Sequence, residues 1–254
     1  MRVAITRQVS ESIARCELTH LARQSIDLDR ARDQHADYEH NLSALGCEVR
    51  RLPGAPDLPD AVFVEDIAVV LDELAILARP GAESRRAETA SLEPALRGLR
   101  PLVRIEPPGT LDGGDILRAG RVLHAGRSRR TNAAGVEQLA RLVAPHGYTV
   151  RPIEIDHCLH LKSAATEVGD NLVLIQPRWV DRRNFPGLGL IEVDAREPAA
   201  ANALRIGEWV LMATAFPRTR ARLEANGVAV RPVDLSELAK AEGGVTCCSL
   251  ILNA

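Results

Sequence analysis

The 254-residue chain balances 32 Lys and Arg against 34 Asp and Glu, for a formal charge of −2, and 46% of its residues are apolar. That balance excludes a dedicated nucleic-acid surface, which is basic, and no apolar run reaches the roughly 18 residues that span a bilayer. The N-terminal MRVAITRQVSES lacks an apolar h-region and a small-residue cleavage site, so no secretory signal is expected. Five irregularly spaced cysteines, Cys16, Cys47, Cys158, Cys247 and Cys248, do not form a disulfide framework and point to a reducing, cytoplasmic setting.

In chain order, MRVAITR reads as a strand and the polar segment Arg32–Leu45, stopped by Gly46, as a surface helix. Short runs rich in Val, Ile and Leu follow at Ile67–Leu71 and Glu73–Ala78, then a helix at Ser84–Leu96. The same order returns at Ile116–Arg118, Val122–Ala125 and the helix Asn132–Val143. Strands at Asn171–Ile175 and Trp209–Met212, a helix at Pro217–Ala225 and a strand at Val228–Pro232 complete the pass.

The order of these elements repeats. Units open at Phe63, Leu111, Leu159, Ala201 and Thr246, about 45 residues apart, a spacing that marks repeat architecture. The first two run polar turn, apolar strand, turn, apolar strand, Arg-rich turn, helix, and the Arg-containing turn after the second strand recurs in three units. The fifth, TCCSLILNA, is completed by the N-terminal strand and helix, so a ring of five units closes without an open sheet edge. The expected fold is a single-domain α/β propeller of five blades over 1–254. In such a ring the polar residues opening each unit meet at the axis: Glu65, Asp66, Asp112, Asp115, His160, Lys162, Asn202 and Cys247.

Those residue types suit nucleophilic catalysis. Cys247 follows Gly243 and Gly244, which permit unusual backbone angles or a close approach to a ligand. Cys248 points to the opposite face of the strand. A cysteine paired with His160 supplies attack plus proton transfer. Asp60, Glu65, Asp66, Asp112 and Asp115 would raise the thiol pKa, which is unsuitable for a free-standing nucleophile but suits a cationic substrate that neutralises them. A guanidinium fits paired carboxylates, and the Arg-rich turns Arg85–Arg86 and Arg127–Arg130 fit a substrate carboxylate.

Six motifs in order, PDAVFVED, RPGAESRR, TLDGGD, RTN, LHLKS and TCCSLILN, resemble the dimethylarginine dimethylaminohydrolase family of the pentein, guanidino-modifying superfamily, over essentially the whole chain. The resemblance implies a five-bladed propeller that hydrolyses dimethylated or monomethylated arginine to citrulline and a methylamine, without a cofactor or metal. It implies Cys247 as nucleophile, His160 as acid and base, and Asp112 as the carboxylate supporting His160. It further implies Glu65 and Asp66 at the guanidinium with Asp60 beside them, Arg85 and Arg130 at the α-carboxylate, and the backbone near Ala241 at the α-amino group. A lid falls on Glu17–Asp27, with Leu18 touching substrate. Some family members carry Glu where this chain has Asp112. The partner is then a small molecule, with no nucleic acid and no membrane, in a monomer or homodimer. The rival readings are an arginine deiminase or amidinotransferase on the same fold, a binding module without the Cys/His pair, and a zinc site at His157, Cys158 and His160, whose spacing is too tight.

Overall fold

The structure is a computed structural model, which describes residues 1–253. Five three-stranded sheets surround an axis. In the first, β3 (Ala68–Val70) and β4 (Ala75–Leu77) form a hairpin, and the helix α2 (Arg86–Arg97) carries the chain to β5 (Leu102–Arg104), parallel to β4. The second repeats this with β6 (Ile116–Ala119), β7 (Val122–Arg127), α3 (Ala133–Val143) and β8 (Thr149–Glu154). The third holds β9 (Ala165–Gly169), β10 (Leu172–Ile175) and β11 (Gly189–Glu192), with a single helical turn at Arg182–Asn184 as its crossover. The fourth holds β12 (Ala203–Ile206), β13 (Trp209–Ala213), α5 (Pro217–Ala225) and β14 (Ala229–Val233).

The fifth sheet joins the two ends of the chain. Strand β15 (Leu250–Asn253) pairs antiparallel with β1 (Arg2–Arg7), in the register Arg2↔Asn253 to Ile5↔Leu250. After α1 (Leu28–Ala44), β2 (Cys47–Leu52) returns parallel to β1. The expected ring of five units with its seam at the termini is therefore the observed architecture. Ala254 lies outside the described residues.

Burial grades outward through each blade. The first strands line the axis, where β9 touches β6 and β12, and β15 touches β3. The middle strands β1, β4, β7, β10 and β13 are almost wholly buried. The third strands are largely exposed and carry charge, as CEVRRL and TVRPIE show. Five apolar clusters fill the spaces between sheets and helices.

Element boundaries follow local caps. Helix α1 starts four residues before the expected Arg32, because Asp27 accepts from the Arg30 N–H and caps it there. Helix α3 starts where expected, with Asn132 accepting from the Gly135 N–H at 2.8 Å. The Ser84 end of the next expected helix is instead a tighter turn, Glu83–Arg85, ahead of α2. No helix among the described residues is long and apolar enough to cross a membrane.

Candidate active site

At one end of the axis the openings of the five units meet, as the repeat requires. Glu65 and Asp66 lie in the helical turn Val64–Ile67 that leads into β3. The backbone N–H of Glu65 donates to the Cys247 carbonyl at 3.1 Å, tying the first blade to the fifth. The Glu65 carboxylate accepts from Lys162 Nζ and from Thr246 Oγ1, each at 2.6 Å. Asn202 donates to Thr246 Oγ1 at 2.9 Å and to the Lys162 carbonyl at 3.1 Å.

Two glycine pairs allow this convergence. A Cβ on Gly113 would stand 2.1 Å from the Glu65 carbonyl oxygen, and one on Gly114 would stand 2.7 Å from both Asp66 Oδ1 and His160 Nδ1. Likewise a Cβ on Gly243 would strike the Phe63 ring at 2.3 Å, and one on Gly244 the Asn202 amide at 2.4 Å. The glycines before Cys247 thus serve close approach, one of the two roles expected of them. The left-handed backbone in this stretch falls on Glu242 instead, at φ 59°.

His160 precedes the short helix α4 (Leu161–Ala164) in extended backbone. Its Nε2 lies 3.0 Å from Asp112 Oδ2, and its Nδ1 lies 3.6 Å from Asp66 Oδ1. Asp112 is fully buried and is itself held by the Gly81 N–H at 2.9 Å. Asp115 sits behind this pair. It accepts from the Leu161 N–H at 2.9 Å and from Ser128 and Thr131 hydroxyls at 2.6 and 2.7 Å, so it anchors the backbone next to His160 rather than facing the cleft.

The electrostatics are those of a site awaiting a cation. Burial pushes the Cys247 thiol up, and the carboxylates of Glu65 and Asp66 push it further, to about 12. Burial works to lower the His160 pKa, but Asp66 and the hydrogen-bonded Asp112 outweigh it and hold the imidazole at about 9. Burial likewise works to raise Asp66, yet His160 and Arg85 bring it below the usual carboxylate range. Burial lifts Asp115 to about 6 against the pull of His160. Cys247 is partly exposed, while the other four cysteines are buried, and all five are free thiols. Cys248 points into the apolar core beside Tyr38 and Leu238, with its Sγ 3.6 Å from the Gly244 carbonyl.

A cleft of about 20 Å³ lies over these groups, lined in part by Asp60, Asp66, Arg85, Arg130, His160 and Cys247, with Ala241 in its wall. Arg85 is nearly consumed by the protein. Its Nε and Nη2 meet Glu88, Nη1 meets Asp66 Oδ2 at 2.5 Å, and Nη2 also meets the Asp60 and Phe63 carbonyls. One Nη1–H remains from the five guanidinium donors. Arg130 is also buried, yet among the described residues it forms no ion pair, and its Nη2 donates only to Thr19 Oγ1 at 3.2 Å. Asp60 accepts from the Glu17 N–H, and burial raises its pKa despite Arg85.

Two expected contacts fall differently. Glu65 does not line this cleft; with Lys162 it borders a separate cavity of about 200 Å³ among the first strands. Asp112 also stands behind the cleft wall, as a residue supporting His160 would. Leu18 packs against the apolar core under the segment Glu17–Asp27 instead of lining the cleft. Lys162, Thr246 and Asn202 fix Glu65, and only the repeat position of Lys162 and Asn202 signalled them in sequence. Asp66, Asp112 and His160 form the one His/Cys/Asp/Glu group with metal-ligand spacing among the described residues, and the His160 nitrogens already face both carboxylates.

An apolar cavity of about 320 Å³ adjoins the cleft through Leu159, Ser163, Gly243 and Cys247. Its walls include Trp179, Phe216, Leu235 and Val245.

No family model matches the chain. Individual relatives do. The chain is 39% identical over 252 residues to the N(G),N(G)-dimethylarginine dimethylaminohydrolase of Streptomyces coelicolor, covering 98% of this chain and 96% of that one. It is 36% identical over 234 residues to the enzyme of the same name from Pseudomonas aeruginosa, covering 91% of each. A solved structure of the Pseudomonas enzyme, a cysteine-to-serine variant complexed with citrulline, superposes with a TM-score of 0.94 at 35% identity over 98% of both chains. By sequence and by fold alike, the chain belongs to the dimethylarginine dimethylaminohydrolase family.

Proposed function

We propose that this protein hydrolyses Nω,Nω-dimethyl-L-arginine and Nω-monomethyl-L-arginine to citrulline and the corresponding methylamine. The observation that carries the proposal is the pairing of a thiol held near 12 by buried carboxylates with a histidine held protonated near 9 in the same cleft. In such a site the thiolate is scarce at neutral pH until a cation enters. A guanidinium beside Asp66, within the field of Glu65, supplies that cation, and Asp60 lies along the same wall.

The roles follow from the geometry. The guanidinium lowers the Cys247 pKa, the thiol releases its proton to solvent, and Sγ attacks the guanidinium carbon. Protonated His160, oriented by Asp112 on Nε2, presents Nδ1 to the departing nitrogen and donates the proton with which dimethylamine leaves. A covalent S-alkylthiouronium remains on Cys247. Neutral His160 then takes a proton from water, the hydroxide adds to the same carbon, and the C–S bond breaks to give citrulline and the thiolate, which regains its proton. Arg130, whose guanidinium forms no ion pair among the described residues, holds the substrate carboxylate with the remaining Nη1–H of Arg85. The carbonyl of Ala241 accepts from the α-ammonium, and Leu18 in the lid contacts the substrate. The apolar cavity beside Cys247 receives the N-methyl groups and the departing amine, which favours a methylated over a bare guanidinium.

Five free thiols and the absence of a disulfide framework support a cytoplasmic setting, and we carry the chain as one catalytic domain over 1–254, a monomer or homodimer acting on a small molecule. The test is citrulline release from dimethylarginine, monomethylarginine and arginine. No citrulline from any of them rejects the hydrolase reading, and equal rates reject the preference for methylation.

A further inference from the structure

The segment from α6 (Ser236–Ala239) to Cys247 forms one wall of the cleft, and Glu242 lies in its middle. Its backbone takes φ 59°, a region that side chains other than glycine rarely occupy. Non-glycine residues persist there when the surroundings hold them, and such positions concentrate at functional sites. Both neighbours are fixed: Ala241 is buried in the cleft wall, and Gly243 packs where a Cβ would strike Phe63.

The Glu242 side chain reaches across the mouth of the cleft to the lid. Its Oε1 accepts from the backbone N–H groups of Thr19, His20 and Leu21 at 3.0, 2.5 and 2.6 Å, and its Oε2 accepts from Thr19 at 3.1 Å. Three successive amides of a segment with no helix or strand therefore converge on one carboxylate, an arrangement of backbone donors that favours an anion. The flanks of the lid are tied down separately. Arg23 donates to the Ala14 and Cys16 carbonyls, Lys240 donates to the Ser25 carbonyl, and the Asp27 N–H donates to Glu237. Within Leu18–Leu21, Arg130 reaches the Thr19 hydroxyl, and Glu242 is the group that holds the backbone amides.

Beneath these bonds the cleft of about 20 Å³ opens, through Gly243 and Cys247, onto the cavity of about 320 Å³, whose walls include His20, Leu21 and Glu242 itself. The lid amides and the carboxylate that gathers them thus border both spaces beside Cys247.

We infer that Glu242 is a positioning residue that latches the lid: its carboxylate gathers the Thr19, His20 and Leu21 amides to shut the site over substrate, from a backbone held left-handed beside Ala241. The inference rests on the hydrolase reading only for its kinetic consequence. Closure removes water from around the guanidinium and the thiol, and so strengthens the charge interaction that activates Cys247.

The experiment compares the full-length protein with Glu242→Gln and Glu242→Gly. Glu242→Gln keeps the shape and removes the charge. Glu242→Gly removes the carboxylate but relieves the left-handed backbone, so it unfolds at a temperature no lower than the parent. In both variants kcat/KM for dimethylarginine is expected to fall at least about tenfold, mainly through KM, as hydrogen bonds to a charged acceptor are lost. Amide exchange at Thr19–Leu21, slow in the parent, becomes fast in both, with the strand amides unchanged. Kinetic constants within twofold of the parent, or unaltered exchange at Thr19–Leu21, overturn the latch. If the parent itself releases no citrulline, the hydrolase reading fails, while the exchange comparison in the unliganded protein still decides the latch.

Discussion

A cationic and a neutral alkylating agent of the same size should see two different Cys247 thiols. Chloroacetamidine carries the charge of a guanidinium, and chloroacetamide does not. At rest the thiol stands near 12, raised by burial and by Glu65 and Asp66. Its thiolate fraction at neutral pH is then on the order of one in 100,000. A unit positive charge about 4 Å from sulfur, at an effective dielectric of about 20, contributes about 4 kcal/mol. That brings the thiol down to about 9 and raises the thiolate fraction about a thousandfold at neutral pH. The assay is the rate of single-adduct formation, read by mass, as a function of pH. The neutral reagent should gain rate steadily up to about pH 11, while the cationic one levels off near pH 9. Its advantage at neutral pH should exceed, by about a thousandfold, the ratio seen with a small free thiol. Parallel pH profiles for the two reagents, or a neutral profile that levels off below pH 8, would refute the view that the resting thiol is suppressed by carboxylates.

Four further substitutions probe the parts separately. Glu65→Gln removes one of the charges raising the thiol, so chloroacetamide should react faster, by about tenfold, while citrulline release falls; unchanged alkylation would contradict the role given to Glu65. His160 has its folded pKa raised from 6.5 to about 9, so it stabilises the fold fully below about pH 6.5 and loses that contribution, on the order of 3 kcal/mol, as pH rises through about 9. Urea unfolding should accordingly show the gap between wild type and His160→Asn narrowing from pH 6.5 to pH 10, and a constant gap would count against the Asp66–His160–Asp112 arrangement. Gly114→Ala places a methyl 2.7 Å from Asp66 and His160, so it should cost about 1–3 kcal/mol of stability and lose far more turnover than its melting shift accounts for. Cys248→Ser should keep turnover with a lower melting temperature; loss of activity in the folded variant would move the nucleophile.

The fold was readable where burial imposed a pattern. First and middle strands are apolar because they line the axis and the blade interior, so Ile116–Arg118 and Trp209–Met212 stood out. The third strands β2, β5, β8 and β11 did not. They sit at the outer edge, half exposed, and their alternation of Arg, Glu and apolar residues resembles a turn more than a strand. The third blade also lacks the crossover helix that the repeat predicts, because its connection is a short turn around Arg182–Asn184.

The site was readable in the same uneven way. The residues opening each unit converge because the ring requires it, so Cys247, His160, Asp66 and Asp112 could be placed together from spacing alone. Orientation was not readable. That Glu65 turns toward Lys162 and Thr246 depends on contacts between residues far apart in sequence, and that Arg85 turns inward to Asp66 and Glu88 depends on how the turn before α2 packs. The lid shows the same limit. Glu242 lies more than 200 residues from the amides it binds, and nothing in the sequence around it signals the contact.

The central claim is that Cys247 attacks a methylated guanidinium. Its most direct test is citrulline release from Nω,Nω-dimethyl-L-arginine by the wild type, with mass measurement of the protein trapped by acid during turnover. The account predicts citrulline at a rate above that from arginine, together with a covalent substrate-derived adduct on Cys247, and neither in Cys247→Ser. Citrulline release that survives in Cys247→Ser, or an adduct on another residue, would contradict it.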